Sequence, residues 1–85
     1  MEHVLLYEGY NLLKQKNEKS IEILLKSVEL FEENKSIETP ISIIAYFDAL
    51  ITFSKEPCEK YEKLFQTYKK AGKQGFYHQI RDEKI

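Results

Sequence analysis

A run of apolar residues from Pro40 to Ser54 constrains the fold of this chain more than any other feature of its sequence. If the run is helical, apolar side chains surround its axis, and only Ser42, Asp48 and Thr52 are clearly polar. The β-branched residues would also suit a buried strand, but no second strand is found for it to pair with, so we predict a helix. A helix that is apolar almost all round is either central in a core or covered by a partner. Since an 85-residue chain has little with which to cover it, we expect a partner surface here.

The segment from Asn17 to Lys35 predicts a second helix with two neighbouring apolar rows. Its apolar residues recur at three- and four-residue steps, which places them on one side of a helix. Because a surface helix needs only one apolar stripe, this helix should contact other elements on two sides, as a middle helix in a bundle does.

The remaining sequence predicts helices before and after these two. Residues 2–15 read as a first helix, and the polar run Lys14–Lys19 predicts a turn near Lys16 and Asn17, although one continuous helix over 2–34 stays open because no proline forbids it. Thr39 followed by Pro40 is a helix-start signal in which the hydroxyl caps and proline takes the first helical position. We therefore predict an all-α fold, a single domain of residues 1–85 that forms a small bundle of three to four helices (about 2–15, 17–34, 40–54 and 57–71) with a short C-terminal helical tail.

The boundary between the fourth helix and the tail is predicted from glycine. Residues 57–71 form one amphipathic stripe on which Cys58 is expected to be buried, and Gly72 stands where a left-handed helix cap is expected.

Composition and charge exclude several classes of protein. The chain is 42% apolar and 32% charged with a net charge of −1, which excludes disordered and low-complexity classes. No apolar run is long enough to span a bilayer, so we expect no membrane contact and a cytoplasmic location.

Twelve of the thirteen basic residues are lysine, whereas arginine dominates base-edge contacts, so we do not expect nucleic acid as a partner.

The sequence offers no recognisable centre for catalysis. His3 and His78 are the only histidines and lie at opposite ends of the chain, and Cys58 is the only cysteine. No nucleotide, metal or nucleophile motif is present. We therefore predict that the protein is not an enzyme, has no cofactor and holds no metal.

The residues expected to contact a partner are apolar, acidic and aromatic. Asp48 is the only charge between Glu38 and Lys55, and it either forms a solvent-facing edge with Ala45 and Thr52 or sets specificity within an apolar surface. The six tyrosines cannot all be buried in so small a core, and exposed tyrosine favours protein interfaces. The predicted function is that of a regulatory protein-interaction module that binds a partner helix or itself, with a homodimer expected, through Ile44, Phe47, Asp48, Ile51, Tyr7 and Tyr10.

Part of the chain resembles a tetratricopeptide-like helical hairpin. The run KNEKSIEILLKSVEL is similar to the second helix of such a repeat, with Ser20 and Ser27 at the small positions seven residues apart and Gly9 near the small residue of the first helix. The resemblance covers about residues 9–35, with Glu32 where proline is usual. It implies a protein- or peptide-binding helical array.

A second resemblance is to HEPN-like four-helix domains. A helix like that of residues 20–33 is followed by Ala45–Tyr46–Phe47–Asp48–Ala49, which is similar to a segment common in that family. The family's nuclease motif places a histidine four to six residues after an arginine, and no histidine follows Arg81 here. The resemblance therefore implies a catalytically inactive RNA- or nucleotidyltransferase-associated protein, and this is the alternative function.

Overall fold

The computed structural model describes residues 1–83, and it confirms the predicted all-α fold. The described part of the chain contains no strand and comprises α1 (Glu2–Lys14), α2 (Lys19–Glu33), α3 (Thr39–Thr52), a 3₁₀ turn (Glu59–Tyr61) and α4 (Glu62–Glu83). None of these helices is long and apolar enough to cross a membrane.

The first two helices form an antiparallel hairpin whose close approach depends on small residues. Gly9 of α1 is buried against α2, where an added Cβ would lie 2.6 Å from Leu24 Cγ. Near the start of α1, the hydroxyl of Ser27 donates to the carbonyl oxygen of Glu2 at 3.1 Å. Residues 2–34 are therefore two helices, and the predicted turn near Lys16 and Asn17 is confirmed.

Three helix ends are closed in the same way, although none of them carries glycine. Lys16, Lys35 and Ser54 follow α1, α2 and α3 with φ angles of 58°, 52° and 53°. After α2, the amide of Ser36 donates to the carbonyl of Phe31 and the amide of Lys35 donates to that of Glu32, and the other two ends repeat this pattern. Each is a Schellman cap, in which the left-handed residue allows the last carbonyls to be bonded.

The third helix lies at the centre of the core. Ten of its fourteen residues are buried, and Phe47 is 0% exposed. The Phe47 ring lies 5.1 Å from the ring of Phe65 and 5.7 Å from that of Phe76, both of α4. The apolarity of α3 is thus largely covered within the chain, which corrects the argument that 85 residues are too few to do so.

The start of α3 also differs from its prediction. Thr39 is the first residue of the helix and not its cap, and its hydroxyl donates to the carbonyl of Ser36 at 2.7 Å. The Ser36 hydroxyl in turn accepts from the amide of Glu38, the capping residue. A hydroxyl three residues further upstream therefore organises this turn, and only the placement of Pro40 in the first turn is confirmed.

The fourth helix is interrupted at one residue. Gly72 has φ 77° and ψ 170°, and helical structure resumes immediately after it. Residues 73–83, which we call the C-terminal arm, pack Phe76 and Ile80 against the core at 0% and 1% exposure. The predicted tail is thus confirmed and is longer than expected. Cys58 is a correction, because it lies exposed before the 3₁₀ turn and not on a buried stripe.

Candidate helix-binding groove

A groove runs between α1, α3 and the C-terminal arm. It consists of two adjoining cavities, of about 280 Å³ on the α1 side and about 490 Å³ on the arm side. Both cavities are lined by Ile41, Ile44 and Lys73, and we call the whole the Ile41 groove. Its other lining residues are Leu6, Tyr7, Tyr10, Ala45 and Asp48 on one side and Gln74, Tyr77 and His78 on the other.

The walls of the Ile41 groove leave large apolar surfaces in solvent. Tyr7 is 66% exposed, Tyr10 is 43% exposed, and Ile41 between them and the arm is 46% exposed. Exposed apolar residues scattered singly are ordinary, but these three line one concave surface. Contiguous apolar lining with aromatic residues at its edge is typical of surfaces that bind other proteins.

Cations flank two of the tyrosines. The Lys14 Nζ lies 4.9 Å from the centre of the Tyr10 ring, and the Arg81 guanidinium carbon lies 5.9 Å from that of Tyr77. Such placements bring a positive charge to the face of each ring. His78 also lines the arm side of the groove.

Asp48 is the only acid among the described residues that line the groove, and two groups of α4 bind it. The Tyr68 phenol donates a hydrogen bond to one carboxylate oxygen, and Lys73 Nζ lies 2.9 Å from the other. The hydrogen bond to Asp48 raises the pKa of Lys73. Lys73 thus neutralises the one acid of the lining, and Lys14 and Arg81 are the cations placed over the tyrosine rings.

The structure brings together four of the six residues that the sequence predicts as partner contacts. Tyr7, Tyr10, Ile44 and Asp48 all line the Ile41 groove. Phe47 must be corrected, because its side chain is 0% exposed in the chain's own core and cannot reach a partner in this state. Ile51 is 49% exposed but is not among the residues that line the groove.

The alternative prediction, in which Asp48 forms a solvent-facing edge of α3 with Ala45 and Thr52, is also only partly correct. Ala45 is 7% exposed, so it does not belong to a solvent edge, and Asp48 is half-buried by its α4 partners. Thr52 is exposed, and its hydroxyl donates to the carbonyl of Asp48 at 2.8 Å.

Several groove residues were not predicted. The spacing of Ile41, Ile44, Ala45 and Asp48 is that of one helix face, so helical periodicity could have added Ile41 to the predicted set. Lys73, Gln74, Tyr77 and His78 carry no such signal, because their positions depend on how the arm turns at Gly72.

The described residues contain no group of His, Cys, Asp and Glu side chains that could hold a metal ion. The two histidines have different surroundings: His3 Nε2 lies 2.6 Å from a carboxylate oxygen of Glu38, whereas His78 lines the groove. Comparison with protein-family models, curated proteins and solved structures finds no significant match.

Proposed function

We propose that this protein is a non-enzymatic interaction module that holds an amphipathic helix of another protein in the Ile41 groove. The observation that carries the proposal is the groove itself, in which exposed Tyr7, Tyr10 and Ile41 line a continuous apolar trough between three helical segments. Amphipathic helices bind such grooves through apolar side chains at three- and four-residue spacing.

The charges around the groove define the chemistry of the partner. Lys14 and Arg81 lie over the two tyrosine rings, and Asp48 is already bonded to Lys73. A partner helix with glutamate or aspartate beside its apolar stripe would meet opposite charge at both edges. Complementary charge of this kind chiefly sets specificity and the association rate.

RNA association is the second candidate function, and one observation favours it. Tyrosine rings accompanied by Lys14 and Arg81 are a combination that can stack and neutralise nucleotides. The groove between them, however, also has four aliphatic lining residues (Leu6, Ile41, Ile44 and Ala45), and its central cation, Lys73, is occupied by Asp48. We therefore favour a protein helix, and RNA binding is an outcome of the same experiment.

The test uses synthetic helical peptides that share one apolar stripe and differ in their edge residues, glutamate in one and lysine in the other. Fluorescence anisotropy measures their binding to the protein, beside a single-stranded RNA of mixed sequence. We expect the glutamate peptide to bind, and Ile41→Gln to weaken it about tenfold through loss of apolar contact.

Ile51→Gln is the matched control, because Ile51 is on the same helix, is 49% exposed against 46% for Ile41, and does not line the groove. It should leave peptide affinity unchanged. Two results would overturn the proposal: no binding of any apolar-striped peptide, or RNA binding that Ile41→Gln weakens while peptide binding is absent.

A further inference from the structure

We propose that the C-terminal arm, residues 73–83, exchanges between two copies of this chain to form a homodimer. In the dimer, the arm of each copy occupies on its partner the surface of α3 that it covers on its own chain in the monomer. This inference does not depend on the function of the Ile41 groove. It rests on the hinge before the arm, on the surface beneath the arm and on the ion pair that fastens it.

The hinge is the single residue Gly72. It is the only non-helical position between Glu62 and Glu83, with φ 77° and ψ 170°. A Cβ added at Gly72 would meet nothing within 4 Å among the described residues. Packing therefore sets no limit on the side chain there, and the backbone conformation alone accounts for glycine. Rotation of Gly72 to helical angles would make α4 one continuous helix and carry the arm away from its own α3.

The surface beneath the arm is too apolar to remain open to water. The Phe76 ring lies 5.7 Å from that of Phe47 and 5.2 Å from that of Tyr68, and both Phe76 and Ile80 are buried. The opposite side of the arm is polar and exposed, at Gln79, Arg81 and Asp82 among others. If the arm departed, apolar side chains of the arm and of the core beneath it would both be exposed to water. Another surface must then cover them.

The arm of a second copy fits that surface because it reproduces every contact already made. Exchange of an identical element between copies gives a dimer with no new interface other than the one at the hinge. The ion pair of Lys73 Nζ with Asp48 at 2.9 Å would then join two chains instead of one. In this form Phe47 would pack against the Phe76 ring of a second molecule.

The first test changes the hinge. Gly72→Ala places a Cβ on a residue with φ 77°, a conformation that alanine disfavours, and so favours the straight helix of the exchanged form. We expect dimerisation, measured by sedimentation equilibrium, to become about tenfold tighter. Gly75→Ala is the control, because Gly75 has no positive φ and its Cβ would lie 3.5 Å from Ala71, an ordinary contact. It should leave the equilibrium unchanged.

The second test distinguishes exchange from simple side-by-side association. Asp48→Lys puts two lysines at the ion pair of a closed monomer, and Lys73→Asp puts two carboxylates there. When the two variants are mixed, an exchanged heterodimer has opposite charges at both sites. At one site Lys73 of the first variant meets Asp48 of the second, and at the other site the introduced aspartate meets the introduced lysine. We expect the mixture, but neither variant alone, to give a dimer in light scattering.

A side-by-side dimer would gain nothing from mixing these variants. Exchange is overturned if Gly72→Ala dimerises no more tightly than wild type, or if the mixture is as monomeric as its components. Should Asp48→Lys fail to fold, the comparison of Gly72→Ala with Gly75→Ala decides alone. Loss of peptide binding at the Ile41 groove bears on the proposed function and leaves this result unaffected.

Discussion

The phenol of Tyr68 donates a partly buried hydrogen bond to the carboxylate of Asp48. Tyr68 is 6% exposed, whereas the side chain of Lys73, which binds the other carboxylate oxygen, is 61% exposed. One carboxylate thus makes a partly buried hydrogen bond and a solvent-exposed ion pair, and we expect these two contacts to differ in their effect on stability.

We expect Asp48→Ala to lower the free energy of unfolding by about 1–3 kcal/mol, because it leaves the buried phenol of Tyr68 without an acceptor. Lys73→Ala should lower it by less than about 1 kcal/mol, since an exposed ion pair contributes little. Urea denaturation of the two variants measures both values. In a Tyr68→Phe background, Asp48→Ala should have a much smaller effect, and equal losses in the two backgrounds would contradict this assignment.

Gly9→Ala should destabilise the hairpin of α1 and α2. A Cβ at this position would lie 2.6 Å from Cγ of Leu24, which is 0% exposed and cannot move without disturbing the core. Overpacking of this kind costs about 1–3 kcal/mol and outweighs the roughly 1 kcal/mol that alanine gains over glycine in a helix.

Thermal denaturation followed by circular dichroism measures the effect. Gly75→Ala is the comparison, because the same change there meets only an ordinary 3.5 Å contact and should be neutral or stabilising. A rise in the melting temperature of Gly9→Ala would show that the two helices can separate enough to admit a methyl group.

Helical periodicity and turn residues were sufficient to predict the fold class and the first three helices to within a few residues, whereas the fourth, predicted at 57–71, spans Glu62–Glu83 with its interruption at Gly72. Polar Lys14–Lys19 and glycine at position 72 marked boundaries because backbone conformation is local. The same periodicity could not show what covers α3. Ile44 and Phe47 look equivalent in the sequence, yet Ile44 lines the Ile41 groove and Phe47 is enclosed by rings from α4. That difference depends on the direction of the arm after Gly72, which is a tertiary property.

Lys35→Gly should stabilise the protein. Lys35 closes α2 with φ 52°, a left-handed conformation that disfavours any residue with a Cβ by about 1–2 kcal/mol. Glycine removes that strain but loses some entropy on folding, so we expect a net gain of about 0.5–1 kcal/mol in urea denaturation. Lys63→Gly is the control, since Lys63 is exposed within α4 and should lose about 1 kcal/mol. A loss at both positions would mean that the cap after α2 does not persist in solution.

Because three tyrosines are buried, we expect the protein to unfold in alkali. Tyr46, Tyr61 and Tyr68 are 2%, 1% and 6% exposed, and burial raises the pKa of each phenol. Hydrogen bonds to the carboxylates of Glu32 and Asp48 raise the pKa of Tyr61 and Tyr68 further, because a carboxylate accepts only from the protonated phenol.

A raised pKa in the folded state means that the folded protein holds its phenol protons after the unfolded chain has released them. The stabilisation is complete below the usual tyrosine pKa of about 10 and is lost as the pH rises above it. Each such tyrosine lowers the free energy of unfolding by about 1.4 kcal/mol per pH unit in that range.

Alkaline titration followed at once by phenolate absorbance and by circular dichroism should therefore show three tyrosines ionising only as helicity is lost. Tyr68→Phe removes one of them, so the decline of stability with pH should become shallower by about 1.4 kcal/mol per pH unit, even if the variant is less stable at neutral pH. Phenolate absorbance from all six tyrosines while the helices remain intact would contradict the prediction, because it would require the phenols of Tyr46, Tyr61 and Tyr68 to reach water in the folded protein.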